Sequence, residues 1–129
     1  MKKLSVIFLT VLMIFAVGCA EEFEPASVQI EYGVDKGYFN VKESDSELTV
    51  REIWKYYEDE IEVTEKVDSD KVYPYIYLRF FDEDKKKSVI LTVFDDGTCC
   101  IGDDMETTYT VTNGRNVYLQ LCEFYEDID

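Results

Sequence analysis

Two hydrophobic runs, residues 73–81 and 88–94, constrain the fold more than any other feature of this sequence. Both are rich in aromatic and β-branched residues, which favour β-strands, and the polar segment 82–87 separates them. Pro74, near the beginning of the first run, indicates a strand start or an edge position, because proline cannot donate a ladder hydrogen bond. The two runs are therefore predicted to form an antiparallel β-hairpin.

Side chains alternate along a strand, so this hairpin has two faces. One is a natural core face for helices and carries Ile76, Leu78, Phe80, Val89, Leu91 and Val93. The other carries Tyr73, Tyr75, Tyr77, Phe81, Ile90 and Phe94. A face turned only to water is normally polar. The second face is therefore either covered by the N-terminal strands and loops or is a partner surface.

Shorter segments on both sides of the hairpin show strand-like alternation. Residues 28–32 and 38–42 are predicted to be strands joined by a turn. Strands are also expected at 98–101, after a glycine-containing tight turn, and at 107–112. Residues 63–71 are charged and are interpreted as a connector.

Two helices complete the pattern. Thr49 and Glu52 form a capping-box sequence, which predicts a helix over residues 50–61. Apolar residues at helical spacing predict a second helix over 117–128. The order of elements indicates an α+β fold, with a meandering antiparallel sheet of about five to six strands and two helices packed mainly on one face.

The N-terminus has the pattern of a cleaved export signal. Lys2 and Lys3 precede an uncharged apolar run that ends at Val17. This run is shorter than the roughly 20 residues that a membrane-spanning helix needs. We expect residues 1–18 to be a signal peptide, 19–27 to be a lipidated N-terminus and flexible tether, and 28–129 to be a single domain.

The segment Ala16-Val17-Gly18-Cys19 resembles the lipobox of bacterial lipoproteins. In that family the cysteine is linked to diacylglycerol, and a dedicated peptidase then cuts before it. The resemblance implies lipid attachment at Cys19 and a location at the extracytoplasmic face of the cell membrane, where two acyl chains hold a protein stably. The alternatives are an ordinary signal peptide with an incidental cysteine, or an uncleaved anchor.

The layout of residues 49–128 also resembles small lipoprotein domains of Gram-positive bacteria. The segments that carry this resemblance are Thr49-Val50-Arg51-Glu52-Ile53-Trp54, Tyr75-Ile76-Tyr77-Leu78, Asp95-Asp96-Gly97 and Tyr118-Leu119-Gln120-Leu121. That group has no assigned activity, so the resemblance implies none.

The charge is strongly acidic, with 13 Lys and Arg against 28 Asp and Glu and a net charge of −15. A mature chain without Lys2 and Lys3 would keep 11 basic residues against 28 acidic ones, a net charge of −17. Such a surface repels nucleic-acid phosphates and anionic lipid headgroups. We therefore expect no nucleic acid as a partner and contact with the membrane only through lipid on Cys19. A basic envelope protein is a partner that would fit this charge.

The sequence contains no histidine, which removes the commonest general base and transition-metal ligand. Three cysteines remain in the body: Cys99, Cys100 and Cys122. Neighbouring residues on a strand point to opposite faces, so only one of Cys99 and Cys100 can form a disulfide with Cys122. No Cys-x-x-Cys motif is present, so buried thiols, with one such disulfide at most, are the favoured interpretation.

Acidic pairs such as Asp95-Asp96 and Asp103-Asp104 lack the alternating Asp-x-Asp-x-Asp-Gly pattern of calcium loops. They are interpreted as solvated turns, and neither a metal site nor a cofactor is predicted. Nucleophile-elbow, P-loop and dinucleotide-binding motifs are also missing from the sequence.

The favoured function is a non-enzymatic binding or interaction module of the cell envelope, because an aromatic sheet face on an acidic body suits a basic partner. Two other classes stay open. A small hydrolase using carboxylates or the Cys122 thiol would need a pocket with converging acidic groups. A purely structural envelope protein would show the same sequence features as a binding module.

Overall fold

The hairpin predicted from the alternating sequence lies at the centre of the structure, a computed structural model that describes residues 23–128. The elements are, in chain order, β1 (Ser27–Asp35), β2 (Tyr38–Ser44), α1 (Glu47–Glu60), β3 (Val63–Val67), β4 (Tyr75–Phe81), β5 (Ser88–Phe94), β6 (Thr98–Ile101), β7 (Thr108–Val111) and α2 (Gly114–Asp127). The strands form an antiparallel sheet of seven in the order β2-β1-β4-β5-β6-β7-β3. The predicted α+β class is confirmed, with seven strands where five to six are expected. The predicted signal peptide and Cys19 lie outside the described residues.

One face of the sheet forms the core together with both helices. Leu78 of β4 lies opposite Ile30 of β1 and Leu91 of β5, and all three side chains are buried. Helix α1 adds Val50 and Ile53 to this core, and α2 packs its apolar side onto the same face. All six residues predicted for the core face of the hairpin belong to this core or pack against it. Burying an aliphatic side chain of this size contributes about 1.5–3 kcal/mol.

Strand β3 corrects the interpretation of residues 63–71 as a connector. It pairs with β7 at the edge of the sheet, and Val63 is the buried residue of its five. An edge strand tolerates charged and exposed side chains because one of its sides faces water. The apolar pattern of β3 is therefore too short to reveal the strand from the sequence.

Helix α1 begins three residues before the predicted start. Ser46 is its N-cap, and the Ser46 hydroxyl accepts a hydrogen bond from the Thr49 N–H at 3.5 Å. Thr49 therefore lies inside the first turn, and the capping box predicted for Thr49 and Glu52 is wrong. Serine and threonine both cap helices well, so the sequence pattern did not separate the two starts.

Helix α2 approaches the β5–β6 turn closely at a pair of glycines. A Cβ built on Gly114 would lie 2.4 Å from the Gly97 carbonyl oxygen, so a larger residue there would push α2 away from the turn. Gly97 itself has a φ of +89°, a conformation that side chains disfavour. The Arg115 guanidinium also donates a hydrogen bond to the Asp95 carbonyl oxygen at 3.1 Å. The turn thus fixes the point where α2 enters the core face.

The packed body extends on the N-terminal side of β1. The ring centroids of Phe23 and Trp54 are 5.4 Å apart, and Trp54 in turn meets the ring of Phe80 at 4.7 Å. The Ala26 N–H donates to the Phe81 carbonyl oxygen at 2.7 Å. Part of the predicted tether is therefore attached to the core.

Candidate functional site

The second face of the sheet, on the side away from the helices, has a covered half and an open half. In the covered half, Ile90 and Phe94 of β5 are 8% and 4% exposed. The β6–β7 loop lies against this half through Met105, whose sulfur accepts a hydrogen bond from the Thr92 hydroxyl at 3.9 Å. The Met105 carbonyl oxygen accepts another from the Cys100 thiol at 3.7 Å. This half is therefore closed to a partner.

The open half, called the open face below, extends over β2, β1 and β4. Its residues are Gln29, Glu31, Gly33, Phe39, Val41, Glu43, Tyr75, Tyr77, Arg79 and Phe81. The ladder places Val41 opposite Glu31, and Glu31 opposite Tyr77. Phe39 is 60% exposed and Val41 38% exposed, and β1 lies between them and the half-buried aromatic residues of β4. Exposed aromatic and aliphatic side chains that adjoin in this way are typical of contact surfaces.

Tyr75 crosses β1 at a glycine. Its ring lies so close to Gly33 that a Cβ there would be 2.2 Å from the Tyr75 Cε2 atom. The Tyr75 hydroxyl donates a hydrogen bond to the Glu31 carboxylate. Desolvation and this hydrogen bond both raise the pKa of the Tyr75 phenol, because each favours the protonated form. The ring is thus held in one position on the open face, next to Phe39.

Basic side chains cover the Phe81 end of the open face. The Arg79 guanidinium lies 4.6 Å from the centre of the Phe81 ring, and the Lys85 ammonium lies 5.6 Å from it. Lys85 also contacts the Glu43 carboxylate of β2 at 3.5 Å. Each cation–π contact of this kind contributes about 0.5–1 kcal/mol at an exposed site. With these two side chains over its ring, Phe81 is half-buried.

An acidic depression adjoins this end of the open face. It has a volume of about 440 Å³. Its lining residues are Ala26, Ser27, Glu43, Asp45, Asp82, Glu83 and Lys85. Four carboxylates against one ammonium give this region a negative potential that would favour a basic group of a partner.

Two polar residues of β2, Asn40 and Lys42, point to the opposite side and are held there by α2. Asn40 donates a hydrogen bond from its Nδ2 atom to the Tyr125 hydroxyl at 2.6 Å. The Lys42 ammonium lies 4.5 Å from the centre of the Tyr125 ring. Since side chains alternate along β2, these contacts fix Phe39 and Val41 on the open face.

The six residues of the predicted partner surface do not lie together. Tyr75, Tyr77 and Phe81 are half-buried on the open face, whereas Ile90 and Phe94 are buried in the covered half. Tyr73 precedes β4, with its ring 5.7 Å from that of Tyr75. On this face, the aromatic residues of β4 are therefore partly accessible, whereas the apolar residues of β5 are buried.

Phe39 and Val41 are residues of the open face that the sequence did not single out. Their alternation with Asn40 and Lys42 shows that they share one side of β2. Which side it is depends on the pairing with β1, where Tyr32 lies opposite Asn40. That long-range register was the missing information.

The three thiols of the body are free and unsuited to nucleophilic chemistry. Cys99 belongs to the core with the helices, and burial raises its pKa to about 12. Burial also raises the pKa of Cys100 and of Cys122. A thiol kept protonated in this way is a poor nucleophile. Since Cys99 faces the helices, it is the one of the neighbouring pair that lies on the side of Cys122.

The described part of the chain contains neither a helix long and apolar enough to span a membrane nor a cluster of three or more Cys, Asp and Glu residues suited to hold a metal ion. A scan against models of protein families found no match. Searches of curated proteins and of solved structures also found none. The open face and the acidic depression are therefore the features of residues 23–128 on which a function can be argued.

Proposed function

We propose that this protein is a lipid-anchored lipoprotein at the extracytoplasmic face of the cell membrane, and that its folded domain is a non-enzymatic binding module of the cell envelope. The observation that carries the proposal is the open face, where Phe39 and Val41 lie on the same side of edge strand β2 and are both exposed. Apolar side chains placed side by side on a very acidic chain are expensive to leave in water. The raised pKa values of the body's thiols further support a non-enzymatic role.

The charge favours a basic partner. The chain carries a net charge of −15, and the acidic depression lies where the open face ends at Phe81 and Glu43. A partner with lysine or arginine beside an apolar contact would match both features. Complementary charge speeds the encounter and selects the orientation, while the aromatic side chains supply most of the contact energy.

The anchor is proposed from the lipobox pattern that ends at Cys19. Since Phe23 is already packed on Trp54, few residues separate this cysteine from the domain. Four residues extend at most about 14 Å, so the domain would be held close to the membrane surface.

The anchor is tested with Cys19→Ser in the full chain, with Cys122→Ser as the matched control. We expect Cys19→Ser to leave the detergent phase or to accumulate unprocessed, and Cys122→Ser to partition like the parent. Intact mass of the parent should show diacylglycerol on Cys19. A Cys19→Ser protein that still partitions into detergent at the processed mass would contradict the anchor.

The binding surface is tested with a photoactivatable amino acid at Phe39 in cells, with Leu119 as the control position. Leu119 lies on α2, on the opposite side of the sheet, and is 46% exposed. We expect position 39 to give an adduct with another envelope protein of basic composition, and the adduct to decrease as salt is raised. Equal adducts from both positions, or none from position 39, would contradict the proposal.

A further inference from the structure

We propose that a second copy of this chain pairs with edge strand β2, antiparallel and about a two-fold axis, so that two sheets join into one. The proposal concerns the edge of the sheet and does not depend on the lipid anchor or on a separate partner of the open face. It rests on the exposure of β2, on the direction of its polar side chains, on its local charge and on one register that suits two identical strands.

Most of the β2 edge is exposed. Among the described strands β2 pairs with β1 alone, so its outer backbone groups face no strand of the same chain. Five of its seven residues are exposed, among them Tyr38 at 61%, Phe39 at 60% and Val41 at 38%. A long edge strand with apolar side chains is a template for strand addition.

The two charged residues of β2, which would normally protect such an edge, both make contacts within the chain. The Glu43 carboxylate contacts the Lys85 ammonium at 3.5 Å. Lys42 lies over the Tyr125 ring, and Asn40 donates its hydrogen bond to the Tyr125 hydroxyl. Both side chains therefore point towards α2. On the open face the same strand presents Phe39 and Val41, which favour contact with another apolar strand.

Local charge permits two copies to meet here in spite of the acidic chain. Residues 27–44, which form the β1–β2 hairpin, contain three acidic residues and two lysines, a net charge of −1. The whole chain carries −15. Charges farther than about 8 Å apart are largely screened at physiological ionic strength. An edge-to-edge contact therefore brings together two segments of low net charge.

One two-fold register of two antiparallel β2 strands pairs apolar residues with each other. With Asn40 opposite Asn40 of the second copy, Phe39 lies opposite Val41 of the second copy, and this apolar pair occurs twice on the joined open face. On the helix side, Tyr38 lies opposite Lys42 of the second copy, so this register places no two like charges opposite each other.

The neighbouring registers that keep the faces aligned are worse. Centring the axis on Val41 places Phe39 opposite Glu43 of the second copy, while centring it on Lys42 places two ammonium groups opposite each other. Centring it on Phe39 leaves only three residues of each strand paired, against five for the axis on Asn40. Like charges directly opposite destabilise a strand pair. The axis through Asn40 is therefore the register that we expect.

The register is tested with single cysteines in the full chain, oxidised mildly in its own membranes. Opposed residues of an antiparallel pair have Cα atoms about 4.5–5.5 Å apart, within the range that a disulfide spans. Asn40→Cys should therefore form a symmetric disulfide dimer, with at least about tenfold more dimer than Val41→Cys. Phe39→Cys and Val41→Cys should form the mixed dimer when they are produced together.

Each outcome decides the proposal. Dimer from Asn40→Cys together with the mixed dimer supports the two-fold register, even if one of the variants folds poorly. Dimer from Val41→Cys alone, or from neither single variant nor the mixture, overturns it. A disulfide between the Asn40→Cys variant and a different protein also overturns it, because the occupant of the edge would then be a partner strand and not a second copy.

Discussion

Strands β3 and β2 lie at opposite edges of the same sheet, and they are protected to different degrees. β3 has five residues, a register shift between Val63 and Lys66, and exposed charges at Glu65 and Lys66. Its Thr64 hydroxyl lies 2.5 Å from the Thr110 hydroxyl of β7. β2 has seven residues, and its apolar side chains are exposed on the open face.

The difference in protection between the two edge strands indicates where this domain can contact another chain. A short, irregular and charged edge is the usual way in which a sheet avoids pairing with other chains, and β3 has all three properties. β2 is longer and has a register shift only at its turn end, and its two charged residues, Lys42 and Glu43, make contacts within the chain. The second face of the sheet is also covered at the β5 and β6 side and open at the β2 side, since Met105 contacts Thr92 of β5 and Cys100 of β6. We therefore place the contact surface of the molecule at its β2 end.

Gly33→Ala should have the largest effect, because it breaks the packing of the β2 end. The new Cβ would lie 2.2 Å from the Tyr75 ring, so the ring, which is bonded to Glu31 through its hydroxyl, must move. We expect a loss of about 1–3 kcal/mol of unfolding free energy, measured by urea denaturation.

Gly37→Ala is the matched control for this change. The atom nearest to a Cβ at Gly37 is an Asp35 carboxylate oxygen at 3.8 Å. The substitution should leave stability unchanged or raise it by about 0.4–1 kcal/mol. Equal losses in the two variants would contradict the close approach of Tyr75 to β1.

Asn40→Ala tests what holds β2 to the helices. It removes the hydrogen bond to the Tyr125 hydroxyl, and we expect a loss of about 1 kcal/mol. Thr64→Val is the counterpart at β3. Its loss should be smaller because the Thr110 hydroxyl still has the Glu65 carbonyl oxygen as an acceptor. Chemical denaturation of both variants measures the two losses of unfolding free energy. A larger loss in Thr64→Val than in Asn40→Ala would contradict this prediction.

The Tyr75 phenol should make the β2 end sensitive to alkali. Its pKa is raised in the folded protein by desolvation and by the bond to Glu31, so it favours folding while the phenol is protonated. This contribution is fully present below the unfolded pKa of about 10 and is lost as pH rises through the folded value.

Tyr75→Phe should therefore lose less stability than the parent between about pH 9 and 11. Tyr73→Phe is the control, because it keeps the bond between Tyr75 and Glu31. Unfolding free energies at several alkaline pH values decide the matter. Identical pH dependence in Tyr75→Phe and the parent would contradict the assigned role of the phenol.

Val41→Lys and Val67→Lys should have the smallest effects on folding. Both valines are surface residues, 38% and 37% exposed, so each change should stay within about 0.5 kcal/mol. Their effects on association should differ. In sedimentation equilibrium of the full chain in detergent, Val41→Lys should weaken the dimer and Val67→Lys should not. A weaker dimer in both would place the contact elsewhere.

Much of the fold could be predicted because its core follows a simple alternation. The β4–β5 hairpin, its core face and the two helices were all evident from periodic apolar residues. β3 was not, because Glu65 and Lys66 on an exposed edge interrupt any apolar pattern. The start of α1 was misplaced because Ser46 and Thr49 are both good capping residues.

The candidate site could be predicted only in part. The aromatic second face was evident from the alternation of β4, but its division into a covered half and an open half was not. Burial of Ile90 and Phe94 depends on long-range packing over β5 and β6, and exposure of Phe39 and Val41 depends on the pairing of β2 with β1. Both are contacts between segments far apart in the chain, which local patterns do not encode.

The most direct test of the β2 end as the contact surface is amide hydrogen exchange of the full chain in detergent, at low and high protein concentration. We predict that peptides covering β2 gain protection as the concentration rises, because the outer amides of β2 become paired, while peptides covering β3 do not change. Protection that rises in β3, or that stays the same in both edge strands, would contradict the account.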